Sequence, residues 1–123
     1  MKKILFAILF SALSAFAFAQ AQATSTSKFA FDQAALQLSD AQGYTYKYYP
    51  DGASTGTILA NTTCSGTTSP FQCQAPIPVF TQGSHTVTFS STNIAGESAK
   101  STPLSFVYVA NPPVIPANPR IIP

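Results

Sequence analysis

Tryptophan is absent from this 123-residue sequence, histidine and methionine occur once each, and charged residues make up only 8% of the chain. Each shortage excludes something. A Ser-His-Asp triad needs a histidine beside a nucleophile and an orienting carboxylate. The single histidine, His85, instead falls in an alternation with Val87 and Phe89, which marks it as a structural strand residue. A zinc site wants three or four N or S ligands, and one histidine with two paired cysteines does not supply them. The carboxylates Asp32, Asp40, Asp51 and Glu97 stand apart, with no spacing that makes a glycosidase-type pair. No Gly-rich phosphate loop precedes a helical pattern. The sequence therefore reads as a non-enzyme with no cofactor and no metal.

Charge is short in a second sense. The net +2 of the whole chain owes two of its six basic residues to Lys2 and Lys3. Behind them Ile4–Ala19 is uncharged and mostly apolar, and Ala17-Phe18-Ala19 places small residues where signal peptidase reads them. This predicts a cleavable signal peptide over residues 1–19, with cuts after Ala21 or Ala23 as alternatives. The apolar run is shorter than the roughly 20 residues of a spanning helix, so stable membrane insertion after cleavage is not expected. The mature chain keeps Lys28, Lys47, Lys100 and Arg120 against the four carboxylates and is neutral. A neutral chain with scattered charge has no electrostatic footprint for nucleic acid. A secreted or periplasmic location also sets the redox context. Cys64 and Cys73, the only cysteines, are expected to form a disulfide there.

What the mature chain does contain is β-prone. Residues 20–27 read as a loose polar leader, residues 28–110 as one domain, and residues 111–123, with five of the ten prolines, as a Pro-rich tail, either disordered or docking. Lys28-Phe29-Ala30-Phe31 and Leu36-Gln37-Leu38 alternate with period two. Tyr44 to Tyr49 forms a strong strand pattern closed by Pro50-Asp51-Gly52. Gly56 to Ala60 reads as its short return strand. Asn61 to Phe71 is rich in Thr, Ser and Gly and reads as a loop running on to Pro76, clipped by the cysteines. Ile77-Pro78-Val79-Phe80 follows as an edge strand. Ser84 to Thr92 alternates cleanly, Asn93 to Gly96 turns, and Leu104 to Val109 is the last strand. About seven short strands with turns between them predict an all-β antiparallel two-sheet sandwich, with a small barrel as the alternative.

The stretch Gly83 to Ser98, GSHTVTFSSTNIAGES, resembles the sixth strand and following turn of fibronectin type III and related bacterial Ig-like domains. His85, Val87, Phe89, Ser91, Asn93, Gly96 and Ser98 hold the pattern's places, and Ser101 and Pro103 lead into the last strand. The resemblance covers Gly83 to Val109 and implies an Ig-like or fibronectin type III-like sandwich. Two departures accompany it. His85 stands where the family has a corner tyrosine, and the core tryptophan is missing, so Phe29, Phe31 and the tyrosines must fill its space.

Two surfaces are candidates for binding a protein or a glycan. One is the clipped loop, with Asn61, Thr62, Thr63, Ser65, Gly66, Thr67, Thr68 and Phe71. The other is Tyr44, Tyr46, Tyr48 and Tyr49. Alternation puts three of these rings on one face, which is either core or an exposed aromatic platform. The function expected is that of a non-catalytic module for binding or structural work. The alternatives are a fibre subunit docking by strand or tail addition and a carbohydrate-binding module.

Overall fold

A computed structural model describes residues 20–111 and 114–123. The expected signal peptide lies outside the described residues. The rest is an all-β fold in two sheets. Its strands are β1 (Ala21–Ala23), β2 (Lys28–Gln33), β3 (Thr45–Pro50), β4 (Thr57–Ile58), β5 (Thr63–Ser65), β6 (Phe71–Pro76), β7 (Gly83–Asn93), β8 (Gly96–Glu97) and β9 (Leu104–Tyr108), with one short helix, α1 (Leu38–Gly43), between β2 and β3. The larger sheet runs β1-β9-β7-β3-β4, with β8 folded back on β7, and the smaller runs β2-β6-β5. All pairings are antiparallel except β1 with β9. Among the described residues no helix is long and apolar enough to cross a membrane.

Period-two alternation makes the core. Val87 and Phe89 of β7, Phe106 and Tyr108 of β9, Tyr46 of β3, Phe29 of β2 and Phe71, Cys73 and Ala75 of β6 are all buried. Aromatic rings fill the space between the sheets. The Phe29 ring lies 5.1 Å from Phe89 and 5.7 Å from Phe106, and Phe31 lies 5.1 Å from Tyr46 and 5.5 Å from Phe89. These contacts bridge the two sheets, each adding about 0.5–1.5 kcal/mol beyond area burial.

Four expectations are corrected. The leader is not loose: Ala21–Ala23 pairs parallel with β9, Ala23 is buried, and its carbonyl accepts from Val109 N–H at 2.8 Å. Leu36-Gln37-Leu38 is not a strand. Ala35, Leu38 and Ala41 recur every third residue and turn one side of α1 and its approach towards the core, while Leu36 is left exposed. The long loop to Pro76 is largely a hairpin. Phe71, Cys73 and Ala75 alternate with the exposed Gln72 and Gln74, and β6 is the central strand of the smaller sheet. The strand expected at Ile77 to Phe80 lies one element earlier, and residues 77–80 are irregular. Pro76 and Pro78 withhold the donors a ladder needs, and Phe80 instead packs 5.1 Å from Phe106.

Candidate functional site: the open edge of β2

Backbone polarity identifies the edge. Residues of an antiparallel pair alternate between exchanging both hydrogen bonds and exchanging none. Ser27 O accepts from Ile77 N–H at 3.2 Å, so the bonded set on this side is Phe29, Phe31 and Gln33, opposite Ala75, Cys73 and Phe71. Lys28 faces Pro76, which has no N–H, in keeping with that phase. The N–H and C=O groups of Lys28, Ala30 and Asp32 therefore point away from β6. Among the described residues no strand meets them there, and all three residues are exposed.

A groove follows this edge. A cleft of about 370 Å³ opens between Ala30–Gln33 of β2 and the segment Ser98–Leu104, with Phe31, Tyr46 and Phe89 at its base. It shares Ala30 and Leu104 with a cavity of about 120 Å³ beside β1, and Gln33, Ser91 and Ser98 with one of about 310 Å³ at the far end. The run extends the length of β2, with an apolar base and a hydroxyl-rich rim. Ser98–Thr102 replaces a regular strand beside the upper half of β7. Ser98 and Ser101 donate their N–H groups to Ser91 O and Phe89 O, and their hydroxyls accept from Ser91 and Phe89 N–H. Leu104, at the lip, is 39% exposed.

The tyrosines do not form a platform. Tyr46 and Tyr49 are buried, and Tyr44 and Tyr48 pack half-buried against the core. The Tyr46 hydroxyl donates to Ala41 O at 2.6 Å and lies 3.5 Å from Cys64 Sγ. Burial, and then its neighbour Tyr44, pushes its pKa up to about 12. Tyr49 is on the opposite face but is covered: Lys100 Nζ sits 4.2 Å from its ring centroid and Gly56 lies directly against the ring. A Cβ on Gly56 would come 2.7 Å from Tyr49 Cζ. The Tyr49 hydroxyl donates to Glu97, as does Ser90 Oγ at 2.6 Å. The Ser90 and Tyr49 hydrogen bonds, and then Lys47 and Lys100, hold the Glu97 carboxyl below its ordinary range.

The clipped loop is partly as expected. Asn61, Thr63, Ser65, Gly66, Thr67 and Thr68 are exposed and Thr62 is half-buried, its hydroxyl donating to Leu59 O at 2.9 Å. Phe71 is corrected: it is buried in the core at the start of β6. Cys64 and Cys73 form the disulfide. They are opposite one another in a non-bonded pair of the β5–β6 ladder, where backbones approach most closely, and their Cα atoms are 4.0 Å apart.

His85 is a structural corner. One ring nitrogen, Nε2, lies 2.6 Å from Thr81 O, four residues upstream, and Nδ1 lies 2.8 Å from Asp51 Oδ2. Asp51 also accepts from Thr86 N–H at 3.0 Å. Both acceptors favour a ring that donates twice. The Asp51 hydrogen bond first, and then the Thr81 carbonyl, raise the His85 pKa above 6.5.

No family model, curated protein or solved structure matches the chain. The candidate edge residues missed by sequence reasoning are Lys28, Ala30 and Asp32. Their alternation marks a strand, but nothing in it says which strand ends a sheet.

Proposed function

We propose that the chain is an exported, non-catalytic sandwich module of the Ig-like and fibronectin type III-like class. It works by taking an extended segment of another molecule onto the edge of β2. The observation that carries the activity is the row of outward backbone groups at Lys28, Ala30 and Asp32 beside a cleft. Strand addition uses such a row for affinity and the adjoining pockets for side-chain choice.

Three features support the class. Strand order is the first: the class sets G-F-C, with C′ in some members, against B-E-D, and β9-β7-β3-β4 over β2-β6-β5 follows that order. The second is the corner, where His85 reaches back to Thr81 as the family's tyrosine reaches its upstream backbone. The third is Tyr46 on β3 against the disulfide, in place of the family's tryptophan. Here, though, the disulfide joins two strands of one sheet. A disulfide is compatible with the oxidising compartment that a signal peptide over residues 1–19 implies.

The test is selection of extended peptides on the folded protein. Selected peptides should bind wild type and lose binding to Ala30→Pro, which removes one outward N–H. Equal binding to both forms rejects the edge as the site. Export is tested by the mass of the protein recovered outside the cytoplasm, expected to begin at Gln20 with its thiols oxidised. A retained signal peptide rejects it.

A further inference from the structure

We infer that the segment that occupies the β2 edge is the Pro-rich tail of a second copy of this chain, so that copies join head to tail. The inference rests on the edge-binding reading above.

The tail has the apolar surface that the domain leaves uncovered. Val114, Ile115, Ile121 and Ile122 are 75–99% exposed, and they are four of the nine large apolar residues exposed among the described residues. Its proline spacing makes it a strand with one usable edge. Extended backbone sends alternate N–H groups to opposite sides. Along Pro119–Pro123, Arg120 and Ile122 therefore share one side, while Pro119, Ile121 and Pro123 share the other. A tail that turns the first set towards β2 loses no bond to proline. Pro119 and Pro123 then lie along the outer edge, where they block any further strand.

Charge sets the register. With Arg120 opposite Asp32 in an antiparallel pair, Ile122 falls opposite Ala30. Arg120 and Asp32 then share the outer face, because directly opposite residues point to the same side of a sheet. Arg120 is the only charge in the tail, and Asp32 is the only acidic residue of β2. Ile121 turns inward over the cleft based on Phe31 and Phe89.

The same geometry selects a second copy over the molecule's own tail. Ser25 Oγ donates to Asn111 Oδ1 at 3.4 Å, and Val109 is held at Ala23, so the tail leaves at the Lys28 end of β2. From there the chain's own tail can run only parallel to β2. With Arg120 at Asp32, the slanted parallel ladder turns Pro119 and Ile121 towards β2, and Pro119, which lacks an N–H, forfeits the bond to Ala30 O. Only an incoming tail can lie antiparallel. A head-to-tail contact of this kind links copy to copy and extends into chains wherever its rotation does not close a ring.

The experiment uses the mature full-length protein. Sedimentation velocity should show species that grow with concentration. Arg120→Asp and Asp32→Arg should each weaken association several-fold, and the double variant should restore it. A mixture of Ala30→Cys and Ile122→Cys proteins should cross-link into a mixed dimer well above a mixture of Ile122→Cys with Ile94→Cys, whose new thiol sits on the exposed β7–β8 turn. A protein monomeric at every concentration, a double variant that fails to restore association, or a chain carrying both Ala30→Cys and Ile122→Cys that closes only on itself overturns the inference. A monomer that still takes selected peptides on β2 removes the tail alone and leaves the edge reading standing. A monomer that takes none removes both.

Discussion

At the scale of single residues, polar groups in this protein work as pins. His85 illustrates the pH consequence. Its folded pKa is raised above 6.5 by Asp51 and Thr81, so its contribution to stability is complete below the unfolded value and lost as pH rises through the folded one. The Asp51 carboxyl moves the other way. Its pKa is lowered from 3.8 by the His85 hydrogen bond first and then by Thr86, so its contribution is present above 3.8 and lost as pH falls through the lowered value. The pair therefore stabilises most between those two ordinary values. Urea midpoints measured from acid to alkaline pH should fall on both sides of that window in wild type and less so in His85→Phe. Tyr46 is a second pin. Tyr46→Phe removes its bond to Ala41 O and should cost about 1–3 kcal/mol in urea unfolding, the range for a buried carbonyl left without its donor. Lys47 and Glu97, 3.8 Å apart and both about one-third exposed, form a surface pair worth little by comparison.

At the scale of elements, the smaller sheet is where alternation and structure diverge most. The hairpin β5–β6 is legible in retrospect from Phe71, Cys73 and Ala75, but the Thr, Ser and Gly residues around the cysteines have the composition of a loop. The strands form because the disulfide and the β2 ladder hold them. Replacing both cysteines with serine should cost about 2–3 kcal/mol, the chain-entropy value for so short a loop, read as a lower urea midpoint that reductant no longer changes. Edge and centre can be told apart by proline. Ala30→Pro sacrifices only an outward N–H, and edge strands accept such a proline, so its thermal midpoint should stay near that of wild type. Ala75→Pro breaks a bond to Phe29 in the middle strand, at a fully packed position, and should leave little folded protein by circular dichroism.

At the scale of the molecule, the segment Ala21–Ala23 belongs to the fold. A chain processed after Ala19 keeps β1 on β9, while one processed after Ala23 loses that strand. The protein beginning at Thr24 should be less stable than the one beginning at Gln20 by about 2 kcal/mol, from the lost ladder bonds. Parallel urea titrations of the two would show it, and equal midpoints would mean that β1 contributes nothing. The same strand bears on the open edge: because β1 lies on β9, it does not cover β2.

Several conclusions needed only the sequence, because they rest on local pattern and composition. They are the β class, the strands at Tyr44–Tyr49 and Ser84–Thr92, the turn at Asp51-Gly52 and the chemistry of the two cysteines. Period-two alternation and turn chemistry act over a few residues and can be read there. Tertiary structure alone decided which strands are edges, that Ala21–Ala23 joins a sheet, that the tyrosines are covered, and that Lys28, Ala30 and Asp32 face outward. Those depend on which distant strands pair, and a strand's two edges are chemically alike until a neighbour takes one of them.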